Sequence, residues 1–330
     1  MKIAINGFGR IGRAVFKIAL ENPEVEIMAI NDLTDLENLA YLLKYDTAYG
    51  IYQHSVEVKE NALVVGGKEI KALSEKDPAQ LPWGEMEIDV VIESTGIFKD
   101  RESVSGHLEA GAKKVLISAP TKDESIKTVV YGVNHNQLKP EDDIVSNASC
   151  TTNCIAPIMK VLENKFGVEK SLMSTIHSYT STQSLVDGPS KKDFKRGRAA
   201  GYNLVPTSTG AAVATTLTIP SLKGNFDGMA FRVPTLVGSI SDVTAVLKKE
   251  VNEEEVNEAF QEAERGDLKN ILKTTEDPLV SVDIIGSTYS TIIPLELTKV
   301  VGGNLLKVVG WYDNEWGYSS RMLDLAKKMT

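Results

Sequence analysis

The chain has 330 residues, a length that suggests two domains, with 42% hydrophobic and 25% charged residues, ordinary for a globular protein. Its net charge of −9 argues against a dedicated nucleic-acid partner or an anionic membrane surface. No apolar run is long enough to span a membrane, and Met1-Lys-Ile-Ala-Ile-Asn-Gly7 turns polar too soon for a signal peptide, so a cytoplasmic location is expected. Two cysteines four residues apart make no disulfide framework, and four histidines without clustered partners suggest no metal site.

Residues 2–6 read as a short buried strand, followed by Gly7-Phe-Gly9-Arg10-Ile11-Gly12 and a helical apolar face at Ala14, Val15, Ile18 and Ala19. A second strand, Val25–Ile30, ends at Asn31-Asp32. A Gly-x-Gly-x-x-Gly run between strand and helix, trailed about twenty residues later by an acid, is the pattern of a dinucleotide site. Gly7 permits the tight turn, Gly9 lets the backbone approach a pyrophosphate, and Gly12 allows helix and strand to pack closely. The helix N-terminus faces the phosphates, and Asp32 suits both ribose hydroxyls while repelling a 2′-phosphate, which favours NAD over NADP. The alternation continues with a helix at Leu36–Leu43, a hairpin at Ser55–Val58 and Ala62–Val65, and strands at 89–96, 114–120 and 128–133. Thr95, Gly96 and Ser118 fall at strand ends, where ligands of open parallel sheets bind.

Ser146-Asn-Ala-Ser149-Cys150-Thr151-Thr-Asn-Cys154 follows a strand-like run and opens a helix whose apolar face is Ile155, Ile158, Met159, Leu162 and Phe166. A thiol at a helix N-terminus is pushed towards thiolate. The alternative reading of Cys150 is a buried, inert cysteine. Pro157, about two turns in, predicts a kink. Beyond it the strand candidates lengthen: Ser171–Tyr179, Met229–Val233, Ser239–Lys248, Leu279–Ile285 and Asn304–Trp311, with helices at Gly210–Leu217 and Glu253–Arg265. The predicted fold class is α/β. A doubly wound parallel sheet (residues 1–149) precedes an α+β catalytic domain with a mixed, largely antiparallel sheet (150–318), and a helix at about 319–330 returns to the first domain. His177 closes the strand after the cysteine helix, either to meet Cys150 or as a structural histidine. The basic stretch with Lys191, Lys192, Lys195, Arg196 and Arg198 reads as a solvated or phosphate-facing loop. Arg232 sits in an apolar run and needs an anionic partner.

Together these motifs resemble the phosphorylating glyceraldehyde-3-phosphate dehydrogenase family. The resemblance runs end to end through Asn6–Arg13, Ser146–Cys154, His177-Ser-Tyr-Thr180, Asp187–Asp193, Pro206–Ala212, Phe231–Thr235 and Trp311–Tyr318. It implies NAD-dependent oxidation of glyceraldehyde 3-phosphate to 1,3-bisphosphoglycerate, with Cys150 as nucleophile and His177 as base. By the same likeness Thr180 and Arg232 hold the substrate's phosphate, and Ser149, Thr151, Arg196, Thr209 and Gly210 hold inorganic phosphate. The cofactor set is Gly7, Gly9, Arg10, Ile11, Gly12, Asp32, Thr95, Gly96, Ser118, Asn314 and Tyr318. The family implies a homotetramer, with residues 178–201 as its subunit-contact loop, and Cys154 is packed rather than catalytic. The sequence departs from the family at Gly310, Ile293-Pro294 and Gly50-Ile-Tyr52, none of which touches a proposed chemical group. Two other readings share the fold: an erythrose-4-phosphate dehydrogenase, and a non-catalytic NAD- or RNA-binding protein.

Overall fold

The computed structural model describes residues 1–191 and 193–330, so Lys192 of the basic loop lies outside the described residues. The chain forms two compact units, one of residues 1–129, 135–148 and 319–330, the other of 130–134 and 149–318.

In the first unit β1 (Lys2–Asn6), α1 (Arg10–Leu20), β2 (Glu26–Asn31) and α2 (Leu36–Lys44) are followed by the short pair β3 (Tyr45–Asp46) and β4 (Gly50–Ile51). Then come β5 (Val56–Lys59), β6 (Ala62–Val65), β7 (Lys68–Leu73), β8 (Val90–Glu93), α3 (Arg101–Glu109), β9 (Lys114–Ile117), β10 (Lys127–Thr128) and β11 (Ile144–Ser146). One sheet runs β10-β11-β9-β8-β1-β2-β7-β6-β5. It is parallel from β10 to β7 and ends in an antiparallel hairpin. Every residue of β8 is buried, as in a sheet covered on both faces. The register aligns the last residues of three strands: Asn6 lies opposite Asn31 on one side and Glu93 on the other. Lys327, near the chain's end, pairs with Glu24 within this unit.

The second unit holds α4 (Cys150–Lys165), β12 (Val168–Ser178), β13 (Val205–Ser208), α5 (Ala211–Thr218), β14 (Phe226–Val233), β15 (Ser239–Leu247) and α6 (Glu253–Arg265). It continues with β16 (Leu272–Thr275), β17 (Thr291–Pro294), β18 (Lys299–Val301), β19 (Leu305–Tyr312) and the start of α7 (Trp316–Met329). The sheet order is β13-β14-β12-β15-β19-β17-β16, with β18 beside β19. Only β12 with β14 and β16 with β17 pair in parallel. Ile155, Ile158, Met159 and Leu162 of α4 join Phe260, Leu306 and Val308 in one core. Pro157 lies inside α4, which continues to Lys165.

Two expected strands are absent. Of 128–133 only Thr128 pairs, because Asn134 accepts the Val130 N–H and Gly132 takes φ 87°, closing a turn. Residues 279–285 are turns as well. Asp283 accepts the Val280 N–H, and Val280 and Val282 face solvent. Among the described residues no helix is long and apolar enough to cross a membrane.

Candidate active site

The glycine run closes the first unit around a cleft of about 460 Å³, lined in part by Gly7, Gly9, Asp32 and Thr95. Gly7 has φ 91°, and a Cβ there would meet the Thr95 nitrogen at 2.5 Å; one on Gly12 would stand 2.1 Å from the Gly7 oxygen. A Cβ on Gly9 would meet nothing, and Gly9 caps α1 without a side-chain bond, so the backbone at the helix start is open to close approach. Asp32 accepts the Phe8 N–H at 2.8 Å and the Thr34 N–H at 3.0 Å, and its carboxylate has lone pairs left for hydroxyls. These residues fit a dinucleotide. Arg10 turns instead to Asp46 at 2.7 Å, while Ile11, Gly12, Gly96 and Ser118 are outside the cleft lining. Ser118 donates its N–H to the Glu93 carbonyl.

In the second unit Ser149 caps α4 by accepting the Thr152 N–H at 3.1 Å. That fixes Cys150 in the first turn, with Sγ 3.4 Å from His177 Nε2. Parallel pairing of β12 with β14 sets Arg232 directly beside His177. His177 Nδ1 lies 2.6 Å from Arg232 Nη1 and 2.7 Å from the Ser178 carbonyl, which also accepts from Arg232 at 3.0 Å. Arginine only donates, so its contact with Nδ1 puts the histidine proton on Nε2, aimed at sulfur. Contact with Ser178 O instead puts the proton on Nδ1 and a lone pair on Nε2. Burial, then the Arg232 charge, holds His177 down to about 3. Desolvation raises the Cys150 thiol, and Arg232 and bonds from Thr151 pull it back. The helix terminus therefore does not make the thiolate by itself, contrary to the expectation from position alone. Cys154 is fully buried against Thr291 and Gly310, its thiol pushed up to about 12.

The hydroxyl of Thr151 is turned inward to Tyr312 at 3.0 Å. Thr180 Oγ1 bonds Thr182 Oγ1 at 2.9 Å. Arg196 donates to Thr207 at 3.0 Å, one residue before Ser208-Thr209, and Gly210 opens α5 with no side-chain cap. Of the remaining basic loop, Arg198 is paired with Asp187 at 2.9 Å. Asn314 is buried; its Oδ1 accepts the Gly238 N–H at 3.2 Å and the Ser239 hydroxyl at 2.9 Å, so its NH₂ remains to donate. Tyr318 is also buried.

Residues 149–314 match the family model described as glyceraldehyde 3-phosphate dehydrogenase, C-terminal domain, and residues 1–101 match its NAD binding domain. The chain belongs to the glyceraldehyde 3-phosphate dehydrogenase family. It is 56% identical to glyceraldehyde-3-phosphate dehydrogenase 1 of Bacillus cereus over 330 residues, covering 100% of this chain and 98% of that one. It is 54% identical to glyceraldehyde-3-phosphate dehydrogenase of Geobacillus stearothermophilus over 327 residues, 99% of this chain and 97% of that one. The cofactor is NAD, and the fold is the family's Rossmann domain with a catalytic α/β domain.

Two contributors escaped the sequence reading. Ser239 joins Asn314 to the Ser178 N–H, which it accepts at 3.1 Å. The available signal was a pair of hydroxyls, Ser239 and Ser241, on the inward row of β15 that continues as Val243, Ala245 and Leu247. Tyr312 bonds Thr151 and Thr175 and meets the His177 ring edge-on at 5.9 Å. It stands within the Trp311–Tyr318 motif, where the resemblance gave it no role.

Proposed function

We infer that the chain oxidises glyceraldehyde 3-phosphate with NAD and inorganic phosphate, giving 1,3-bisphosphoglycerate. The observation that carries this reading is the Cys150–His177–Arg232 constellation in a member of this family. The Cys150 sulfur attacks the aldehyde carbon while its proton passes by way of His177 Nε2 to the carbonyl oxygen, and the resulting hemithioacetal keeps its hydroxyl near Nε2. The substrate's phosphate engages Arg232 and Thr180, which draws the guanidinium from Nδ1. The imidazole proton then sits on Nδ1, donated to Ser178 O, and Nε2 takes the hydroxyl proton as general base. When bound, NAD supplies the acceptor for the hydride leaving that carbon. The thioester left on Cys150 is a better acyl donor than an oxygen ester. Inorganic phosphate, held by Arg196, Thr209, Gly210 and the amides at Ser149 and Thr151, displaces the sulfur, which departs as thiolate.

Asn314 would offer its NH₂ to the nicotinamide carboxamide, and Tyr318 would line that pocket. Gly7, Gly9, Arg10, Ile11, Gly12, Asp32, Thr95, Gly96 and Ser118 serve the dinucleotide. The domains divide at about residue 149, with 319–330 returning to the first. The enzyme works in the cytoplasm as a homotetramer. Support for self-association is a groove of about 410 Å³ on the second unit's sheet, lined by Leu172, Phe226, Val246 and Leu305, and the exposed Leu185, Phe194 and Tyr202 in and beside the loop. No observation favours an erythrose 4-phosphate substrate or a non-catalytic role. Phosphate-dependent NADH production from glyceraldehyde 3-phosphate tests the reaction; turnover with erythrose 4-phosphate and no need for phosphate would overturn it. Sedimentation tests the tetramer, and a monomer at working concentration would refute it.

A further inference from the structure

A buried chain of hydrogen bonds underlies the cleft of the first unit, and no step above uses it. Trp83 and His107 are 0% exposed and Glu93 1%. The Trp83 indole N–H can only donate, and reaches His107 Nδ1 at 3.0 Å. His107 therefore carries its proton on Nε2 and donates to Glu93 Oε2 at 3.2 Å. The same oxygen accepts Asn6 Nδ2–H at 2.6 Å. Glu93 Oε1 accepts the Thr95 N–H at 2.8 Å and the Thr95 hydroxyl. Thr95 Oγ1 in turn accepts the Ile97 N–H at 3.1 Å. Asn6 Oδ1 accepts from Asn31 at 2.7 Å, and Asn31 clasps the backbone of Glu75 through both its oxygen and its nitrogen.

Asn6, Asn31, Glu75, Thr95 and Ile97 all line the cleft, whereas Glu93, His107 and Trp83 do not. The geometry points to Glu93 as a positioning residue for the dinucleotide. Its buried carboxylate, held from behind by Trp83 and His107, sets the Thr95–Ile97 turn and the Asn6–Asn31–Glu75 tie in fixed relation. This rests on the reading of the cleft as the NAD site. Four donors meet the carboxylate, two on each oxygen. An amide would turn its own N–H groups against one pair of them, leaving buried donors unpaired. The turn or the tie must then shift, and a cleft no longer preorganised binds more weakly.

The test is NAD affinity by calorimetry in Glu93→Gln and in Trp83→Phe, which keeps an aromatic ring but loses the N–H. Glu93→Gln should weaken NAD by about tenfold or more, the scale of one charge-assisted bond. Trp83→Phe, remote from the cleft, should weaken it by about threefold. Alkylation of Cys150 by iodoacetamide in NAD-free protein should stay at the parent rate in both, since the second unit is untouched. A purely structural role would lower the melting temperature and leave the affinity alone. Parental affinity in folded Glu93→Gln overturns the inference; if that variant does not fold, parental affinity in Trp83→Phe does so. Failure of the parent chain to bind NAD would instead overturn the cofactor reading.

Discussion

Arg232→Met removes the guanidinium beside His177 and keeps an unbranched apolar stem. In the parent, Arg232 Nη1 stands 2.6 Å from Nδ1 and 3.0 Å from Ser178 O, partly buried and within reach of a substrate bound at Cys150. A hydrogen bond to a charged group contributes about 1.5–3 kcal/mol, so a bidentate grip on phosphate contributes about 3–6 kcal/mol. Its loss lowers kcat/KM for glyceraldehyde 3-phosphate by roughly 10²–10⁴-fold. Unphosphorylated glyceraldehyde offers the guanidinium no phosphate, so its kcat/KM should fall only through the weaker ionisation of Cys150, by less than that of the phosphorylated aldehyde. The assay compares both aldehydes at saturating NAD and inorganic phosphate. Removing the cation also relieves the depression of His177, whose pKa rises from about 3, so the acid limb of the glyceraldehyde profile moves to higher pH. Equal losses for the two aldehydes would remove Arg232 from phosphate recognition.

Cys150→Ser should abolish NADH production while calorimetric NAD binding persists; surviving turnover would exclude Cys150 as nucleophile. His177→Asn should slow the pre-steady-state burst by about a hundredfold or more. Because His177 is held near 3 when folded and titrates at about 6.5 when unfolded, acidification across that window favours the unfolded parent. The asparagine variant should therefore lose less stability there, as denaturant titrations will read; equal loss contradicts the buried neutral histidine. Asp32→Ala should narrow the preference for NAD over NADP, and unchanged selectivity would assign that choice to another group. Ser239→Ala frees one bond on Asn314 Oδ1, so the KM for NAD should rise several-fold, and an unaltered KM would mean Ser239 does not orient the amide.

What the sequence made legible was local. Gly7 and Gly12 reveal themselves because a turn needing positive φ at the first and a 2.1 Å approach at the second leave no room for a Cβ. The apolar period of α4 and the hydroxyl of its cap do the same for the cysteine helix. Residues 279–285 misled because Val280, Val282 and two isoleucines imitate a strand, whereas Asp283 and Gly286 decide for turns. Non-local register was out of reach. Nothing between His177 and Arg232 announces that β12 and β14 pair in parallel with those two residues side by side.

The cysteine shows the same division in energy. Position predicts a helix N-terminus, and such a terminus contributes about 0.3–1 kcal/mol to a nearby anion, up to about 2 kcal/mol when partly buried. Desolvating an ion costs several kcal/mol, and how deeply a sulfur sits is a property of the packed domain, set here by β12, β19 and the Tyr312 ring around the start of α4. Desolvation outweighs the helix terminus, so the thiol is raised. What offsets it is the Arg232 charge, delivered by a strand well downstream of the cysteine helix. A motif can therefore mark where a sulfur sits along the chain, while its ionisation is weighed between burial and a charge that the motif does not contain.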